Sequence, residues 1–141
     1  MSELALPKVD KSTILNRDQI VSKLKRIIKS ENVLDHNDEI KPYETDALSA
    51  YKQKPLVVVL PETTQEVSEI LKYCNKEKIK VIPRGAGTGL SGGALPLKDG
   101  ILLALGKFNK ILEIDFENRC VIAQPGVTNL SITHAVQHKG F

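Results

Sequence analysis

Apolar residues recur at helical spacing early in the chain, at Ile20, Leu24, Ile27 and Ile28. This predicts a helix over about 17–29 with one face turned to a core. Asn16 stands where an N-cap belongs, and Gln19, three residues on, is placed to reach back to it. Lys23, Lys25, Arg26 and Lys29 fall outside the apolar stripe. A basic helix can be a nucleic-acid surface, but no aromatic interleaves this one, so its charges are read as a solvated face. Residues 1–15 are expected to form a loose arm. Residues 31–54 carry few apolar side chains, with Tyr43 and Tyr51 as isolated anchors, and are expected to cross the surface.

The pattern then changes period. Leu56-Val57-Val58-Val59-Leu60 is a continuous apolar run closed by Pro61, the signature of a strand buried on both faces. Thr63-Thr64-Gln65-Glu66 has the form of a capping box. Behind it Val67, Ile70, Leu71 and Cys74 return to helical spacing, which predicts a helix to about Lys76. A second strand is expected at Lys80–Ile82, making a βαβ unit with a right-handed crossover. Three further β elements are predicted, at Ile101–Leu105, Ile111–Asp115 and Arg119–Gln124. The last two should form a hairpin that turns at Glu117-Asn118. Pro125-Gly126 breaks the pattern, Thr128 caps a final helix of about Asn129–Gln137, and Gly140 ends it.

The chain has 141 residues, 41% hydrophobic and 26% charged, with a net charge of +3. That is about one domain of ordinary soluble composition, with too little positive charge to mark a nucleic-acid binder. Cys74 and Cys120 lack metal-like spacing and are expected to be buried free thiols in a reducing compartment. The start, Met1-Ser2-Glu3-Leu4-Ala5-Leu6-Pro7, lacks the basic and apolar regions of a signal peptide. No stretch reaches the roughly 18 apolar residues of a membrane helix. A cytoplasmic protein without a transmembrane segment is expected.

The candidate chemistry lies in the glycines. Five of the nine fall between Gly85 and Gly93, in the run Pro83-Arg84-Gly85-Ala86-Gly87-Thr88-Gly89-Leu90-Ser91-Gly92-Gly93-Ala94. Glycine disfavours ordering by roughly 0.5–1 kcal/mol per residue relative to alanine. A plain surface turn, which needs only one or two, therefore explains the run poorly. Successive peptide N–H groups unobstructed by Cβ atoms make a concave anion site, so a loop around phosphate or pyrophosphate is the leading reading. Gly87-Thr88-Gly89-Leu90-Ser91-Gly92 satisfies G-x-G-x-x-G, but Pro96 and Gly100 forbid the helix that a dinucleotide fingerprint requires. The G-x-x-x-x-G-K-[ST] form fails, because no lysine follows Gly92 or Gly93.

Other candidates are weaker. His134 and His138 share a helix face at zinc-binding spacing, but the glutamate of His-Glu-x-x-His is missing and no third ligand is evident. His36 reads as a loop residue. Asp46, Asp115 and Glu117 receive no role, and Ser91 lacks a nucleophile elbow.

The run from Pro83 to Ala94 resembles the pyrophosphate loop of FAD-linked oxidases of the vanillyl-alcohol oxidase/p-cresol methylhydroxylase type. Lys41–Tyr51, Leu105–Asp115 and Pro125-Gly126-Val127-Thr128-Asn129-Leu130 are similar to the glycolate oxidase FAD subunit and its D-lactate dehydrogenase relatives. The resemblance covers about residues 40–141. It implies an α+β fold, an FAD-binding domain of p-cresol methylhydroxylase type with an N-terminal βαβ subdomain and the start of a second mixed α/β subdomain. Residues 1–40 would be an arm and helix, and 41–141 the domain, incomplete at its C-terminus.

The resemblance also implies FAD as cofactor, extended between the subdomains. Its pyrophosphate would be surrounded by Pro83, Arg84, Gly85, Ala86, Gly87, Thr88, Gly89, Ser91 and Gly92, with hydroxyl donors from Thr88 and Ser91. Pro125, Gly126 and Val127 would approach it further along. Arg84 could add positive charge or point to solvent. Some family members tether the flavin through a loop histidine; residues 83–94 contain none, so non-covalent FAD is expected. The implied reaction is oxidation of a small 2-hydroxy acid such as glycolate or D-lactate, with hydride passing to the flavin and electrons leaving through partner subunits. In the relatives the substrate-binding groups lie later in the chain, so catalytic residues stay unassigned and the chain is expected to be an N-terminal fragment. The rival readings are a non-catalytic flavin-binding subunit that needs a partner chain, and an inactive fragment without ligand.

Overall fold

The computed structural model describes residues 7–141. Helices α1 (Lys11–Leu15) and α2 (Arg17–Ile27) lead into strand β1 (Val33–Leu34) and a short helix α3 (Asn37–Ile40). Strand β2 (Val57–Val59), helix α4 (Thr64–Glu77) and strands β3 (Lys80–Arg84) and β4 (Gly100–Ala104) follow. Strands β5 (Ile111–Asp115) and β6 (Cys120–Ala123) and helix α5 (Asn129–Val136) close the chain.

The first four strands form one sheet in the order β1-β2-β4-β3. β2, β4 and β3 run parallel, in the registers Val58↔Leu102 and Ile82↔Leu102, and β1 pairs antiparallel at the β2 edge. Side chains alternate across this sheet. Val57, Val59, Ile101 and Leu103 pack on Ile20, Val21, Leu24 and Ile28 of the α2 segment and on Ile70 and Cys74 of α4. Val58, Ile82, Leu102 and Ala104 face the other way, onto Ile40, Tyr43 and Leu97. Both faces are covered, as the unbroken valine run implies. Residues preceding position 40 thus contribute to the same core as the central strands.

Several expectations hold. Thr63 Oγ1 accepts the Glu66 N–H at 3.2 Å, and the Glu66 carboxylate accepts the Thr63 N–H at 3.2 Å, completing the capping box of α4. β5 and β6 form the antiparallel hairpin. Thr128 caps α5 through the Ser131 N–H, and Gly140 ends the segment at φ +83°.

Others need correction. The strands of the β2-α4-β3 unit are not neighbours, because β4 inserts between them. Burial explains the order: all of β4 is buried, whereas β3 carries Lys80, an exposed Pro83 and Arg84. Proline lacks a ladder donor and belongs at an edge. Positions 1–6 of the expected arm lie outside the described residues, but Lys11–Leu15 is helical. Its cap, Asp10, accepts the Ser12 N–H at 2.8 Å. Asp10 N–H in turn donates to the buried Asp99 at 2.6 Å, and Asp99 also pairs with Lys80 at 2.7 Å. The Asn16 side chain makes no capping bond, because the backbone of α1 runs directly into α2. That helix stops at Ile27, with Ile28 extended. The 31–54 segment is more than a surface crossing, since it supplies β1 and the fully buried Asn32. Cys74 is buried, and burial pushes its thiol up to about 11, but Cys120 is exposed. The basic face of α2 is partly paired, Lys25 with Asp35 at 3.0 Å, and Lys29, just beyond the helix, pairs with Glu62 at 2.7 Å.

Glu62 closes a polar network at the carboxyl end of β2. It accepts from Lys29 and from the Asn32 amide at 3.0 Å, with Lys107 Nζ at 3.4 Å. The Lys29 hydrogen bond, then the Asn32 bond, hold its carboxyl down to about 2 against an ordinary value of 4.5. A carboxyl that is more acidic when folded stabilises the fold above its unfolded pKa, and that contribution is lost as pH falls through the folded value. Stability should therefore drop from about pH 4.5 towards 2. Glu62→Gln should flatten part of that limb in urea titrations at stepped pH, leaving the share of Asp10, Asp99 and Asp115, whose carboxyls are also lowered. An acid limb identical to wild type would exclude Glu62 as its source.

Candidate functional site

The carboxyl ends of parallel strands are where open α/β sheets bind ligands, and the glycine run leaves the sheet there. β3 ends at Arg84, and residues 85–94 follow without regular structure. Their backbone donors are open: among the described residues, no N–H from Gly85 to Ala94 donates to another protein group, and the next donor is Leu95, which bonds Gly92 O at 3.1 Å. Thr88 and Ser91 are exposed beside these amides.

The glycines divide into two kinds. Gly87 and Gly92 have φ of +73° and +74°, which L-residues adopt at a cost. A Cβ at Gly87 would also lie 2.6 Å from Cζ of Arg84. At Gly85, Gly89 and Gly93 the φ values are outside that left-handed range and a Cβ would meet nothing within 4 Å. Neither backbone conformation nor internal packing calls for glycine at these three positions. Their missing side chains leave room beside unpaired N–H groups.

Arg84 points neither to solvent nor along the loop's outer face. Its guanidinium folds back beneath Gly87, donates from Nη1 to Thr45 O at 2.7 Å, and stands 5.6 Å from the centroid of the Tyr43 ring, within cation–π range. From the other side Ala47 N–H donates to Gly87 O at 2.9 Å. Leu48 Cδ2 lies 3.6 Å from where a Cβ of Gly92 would stand. Residues 43–48 therefore form a back wall to the loop. Tyr43, Thr45, Ala47 and Leu48 were not among the expected site residues. Their grouping as Tyr-Glu-Thr-Asp-Ala-Leu offered no signal beyond the resemblance.

Pro125, Gly126 and Val127 reach the same end of the sheet through the turn after β4. Leu105 N–H donates to Arg84 O at 2.9 Å, and Gly126 N–H donates to Phe108 O at 2.6 Å. Unlike the loop amides, these are used: Val127 N–H donates to Gln124 O at 3.1 Å. A Cβ at Gly126 would stand 2.6 Å from the carbonyl oxygens of both Leu105 and Phe108, so close packing within the chain explains this glycine.

Other features do not compete. A cleft lined by Ile14, Arg17, Ile40, Lys54 and Leu56 lies at the opposite, amino end of the strands. Its Arg17 is engaged by the carbonyls of Leu56 and Asp35. His134 and His138 are exposed, His138 edge-on to Phe116. No group of three or more potential metal ligands occurs among the described residues.

Comparison with known proteins bears on the family and the fold. Residues 55–141 match the family model described as FAD binding domain. The chain is 46% identical over 132 residues to the glycolate oxidase subunit GlcD of Escherichia coli K12, covering 94% of this chain and 25% of the relative. It is 37% identical over 103 residues to a putative mitochondrial D-lactate dehydrogenase of Schizosaccharomyces pombe, covering 73% and 20%. The chain thus spans about a quarter or less of the length of these relatives. Its fold superposes on p-cresol methylhydroxylase with a TM-score of 0.76 at 28% identity, over 93% of this chain and 26% of that one.

Tightly packed Gly126 and open Gly89 predict different mutational outcomes. Gly126→Ala should destabilise the fold by about 1–3 kcal/mol, as overpacking does, because carbonyls surround the new methyl. Gly89→Ala should stay within about 0.5 kcal/mol of wild type or gain slightly. Urea denaturation of both variants checks this; equal losses would contradict the division.

Proposed function

Because the chain belongs to the FAD binding domain family, we propose that the loop from Pro83 to Gly92 receives the pyrophosphate of FAD. The observation that carries the reading is the row of N–H groups from Gly85 to Ala94 that have no partner among the described residues, together with glycines whose side-chain space is open. Acceptor-rich phosphate oxygens match such a row, and N–H dipoles meet their charge without a local lysine. Pro83 and Arg84 set the loop's origin at the strand end. Gly85, Ala86, Gly87, Thr88 and Gly89 supply the cradle, with the Thr88 and Ser91 hydroxyls and Gly92 beyond. Arg84 lends long-range positive charge from beneath, while its hydrogen bonds go to Thr45. Pro125, Gly126 and Val127 form the neighbouring wall, where the shape of the backbone rather than its amides meets the cofactor.

The chemistry supplied by bound flavin is hydride acceptance. In this reading it oxidises a small 2-hydroxy acid of the glycolate or D-lactate kind. The binding of the acid falls to polypeptide corresponding to the remainder of the relatives' length, in the same chain or a partner subunit. Residues 41–141 carry the flavin-binding segments in this reading, and the residues before them, which supply α2 and β1 to the same core, support them. No histidine occurs in residues 83–94, which supports non-covalent FAD. Cys74 and Cys120 as free thiols suit a reducing compartment such as the cytoplasm. No helix among the described residues is long and apolar enough to cross a membrane.

Gly85→Val and Gly89→Val test the assignment. Each adds bulk where the diphosphate is placed, without meeting protein atoms within 4 Å of the new Cβ. Flavin affinity, measured by fluorescence quenching, should fall at least about tenfold, the loss of one charge-assisted hydrogen bond, with unchanged thermal stability. Wild-type affinity in both variants would remove the loop from the site. Gly87→Val is less informative, since φ of +73° and the Arg84 contact link it to folding. Acid precipitation should leave the yellow chromophore in solution; flavin retained in the pellet would show a covalent link.

A further inference from the structure

Arg84 can shape the glycine loop only if its own guanidinium is fixed. Among the described residues that guanidinium forms no ion pair, whereas Lys80, at the other end of β3, is paired with Asp99 at 2.7 Å. The Asp46 carboxylate, next to Thr45 in the chain, accepts the Leu48 N–H at 2.9 Å. The contacts on Arg84 are neutral ones: the Thr45 carbonyl at 2.7 Å, the Tyr43 carbonyl at 3.5 Å and the Tyr43 ring, whose centroid lies 5.6 Å from Cζ. Both carbonyls are main-chain groups, so the ring is the one side chain in this set. It is firmly seated. Tyr43 ends a single 3₁₀ turn, Lys41–Tyr43, and packs on the cluster of Ile40, Val58, Ile82, Leu102 and Ala104. The segment after it closes on itself, with Gln53 N–H donating to Glu44 O at 2.7 Å and Thr45 Oγ1 to Tyr51 O at 3.0 Å. Tyr43 thus joins the apolar core to the guanidinium.

A guanidinium is attracted to the negative face of an aromatic ring, more strongly where water is partly excluded. Resting on the reading of the loop as an FAD site, we propose that Tyr43 is a positioning residue of that site. It acts on the cofactor through Arg84 and not by contact. The ring holds the guanidinium, and the guanidinium fills the space beneath Gly87, whose φ is +73°. Without the ring, Arg84 is free to leave that space and the loop populates other shapes. A ligand that binds one shape then binds more weakly, in proportion to the population lost.

Tyr43→Leu keeps an apolar side chain against the core and removes the aromatic face, while Tyr43→Phe keeps the face. Dissociation constants for FAD and inorganic pyrophosphate are measured by calorimetry on the full chain carrying each change, alone and combined with Arg84→Met, beside thermal melts. Tyr43→Leu should raise both constants by a similar factor, roughly three- to thirtyfold, because the shape of the pyrophosphate loop is what changes. Tyr43→Phe should stay within about twofold of wild type. In the Arg84→Met background Tyr43→Leu should add nothing further, a result that general loosening of the core would not give. Wild-type affinity in Tyr43→Leu overturns the inference. So does a Tyr43→Phe variant as weak as Tyr43→Leu, a loss for FAD that pyrophosphate does not share, or a full loss that persists with Arg84→Met. Each of these leaves the loop assignment to be decided by Gly85→Val and Gly89→Val. A wild-type protein with no affinity for FAD overturns both.

Discussion

A chain of peptide N–H groups without protein acceptors keeps one conformation only if something other than its own hydrogen bonds holds it. Here that restraint is Arg84. Its side chain turns back under the loop it precedes, bonds the Thr45 carbonyl at 2.7 Å and occupies the space beneath Gly87 that a Cβ would take. The loop is clamped from below by this guanidinium and from the side by the Ala47–Gly87 hydrogen bond. The loop's N–H donors are left without acceptors among the described residues, so its shape is held by these outside contacts and not by hydrogen bonds of its own.

The sheet makes that arrangement possible. β4 is buried along its length and takes the centre, which leaves β3 at the edge, where Pro83 is harmless. Because β3 and β4 run parallel, both release their loops at the same end. The Leu105–Arg84 bond and the Gly126–Phe108 bond then bring two segments some forty positions apart to one edge. The α2 and α4 helices on one face, and the 34–43 segment on the other, supply apolar cover that keeps the strand ends in place. The β5–β6 hairpin and α5 differ: α5 buries no residue, and Ile122 and Leu130 are more than half exposed. Two strands alone are marginal in water. This part of the fold draws its order from the turn at Leu105–Phe108 rather than from a core of its own.

Much of this was legible beforehand because it depends on local periodicity. The valine run, the Thr63–Glu66 box, the hairpin and the Thr128 cap each rest on interactions within a few residues. The density of glycines between Gly85 and Gly93 signalled an irregular loop with exposed backbone, without separating those that serve conformation from those that leave space.

From sequence alone came the kinds of element, the position of the glycine-rich loop and the family resemblance, because backbone propensity, capping and glycine content act over short range. Tertiary structure decided the rest. It set the insertion of β4 between β2 and β3, the inward turn of Arg84, the wall made by residues 43–48 and the packing reason for Gly126. Each of these depends on which distant segment lies next to a residue. Adjacency of that kind is settled by competition for burial among all the strands and helices at once, and no short window of sequence contains it.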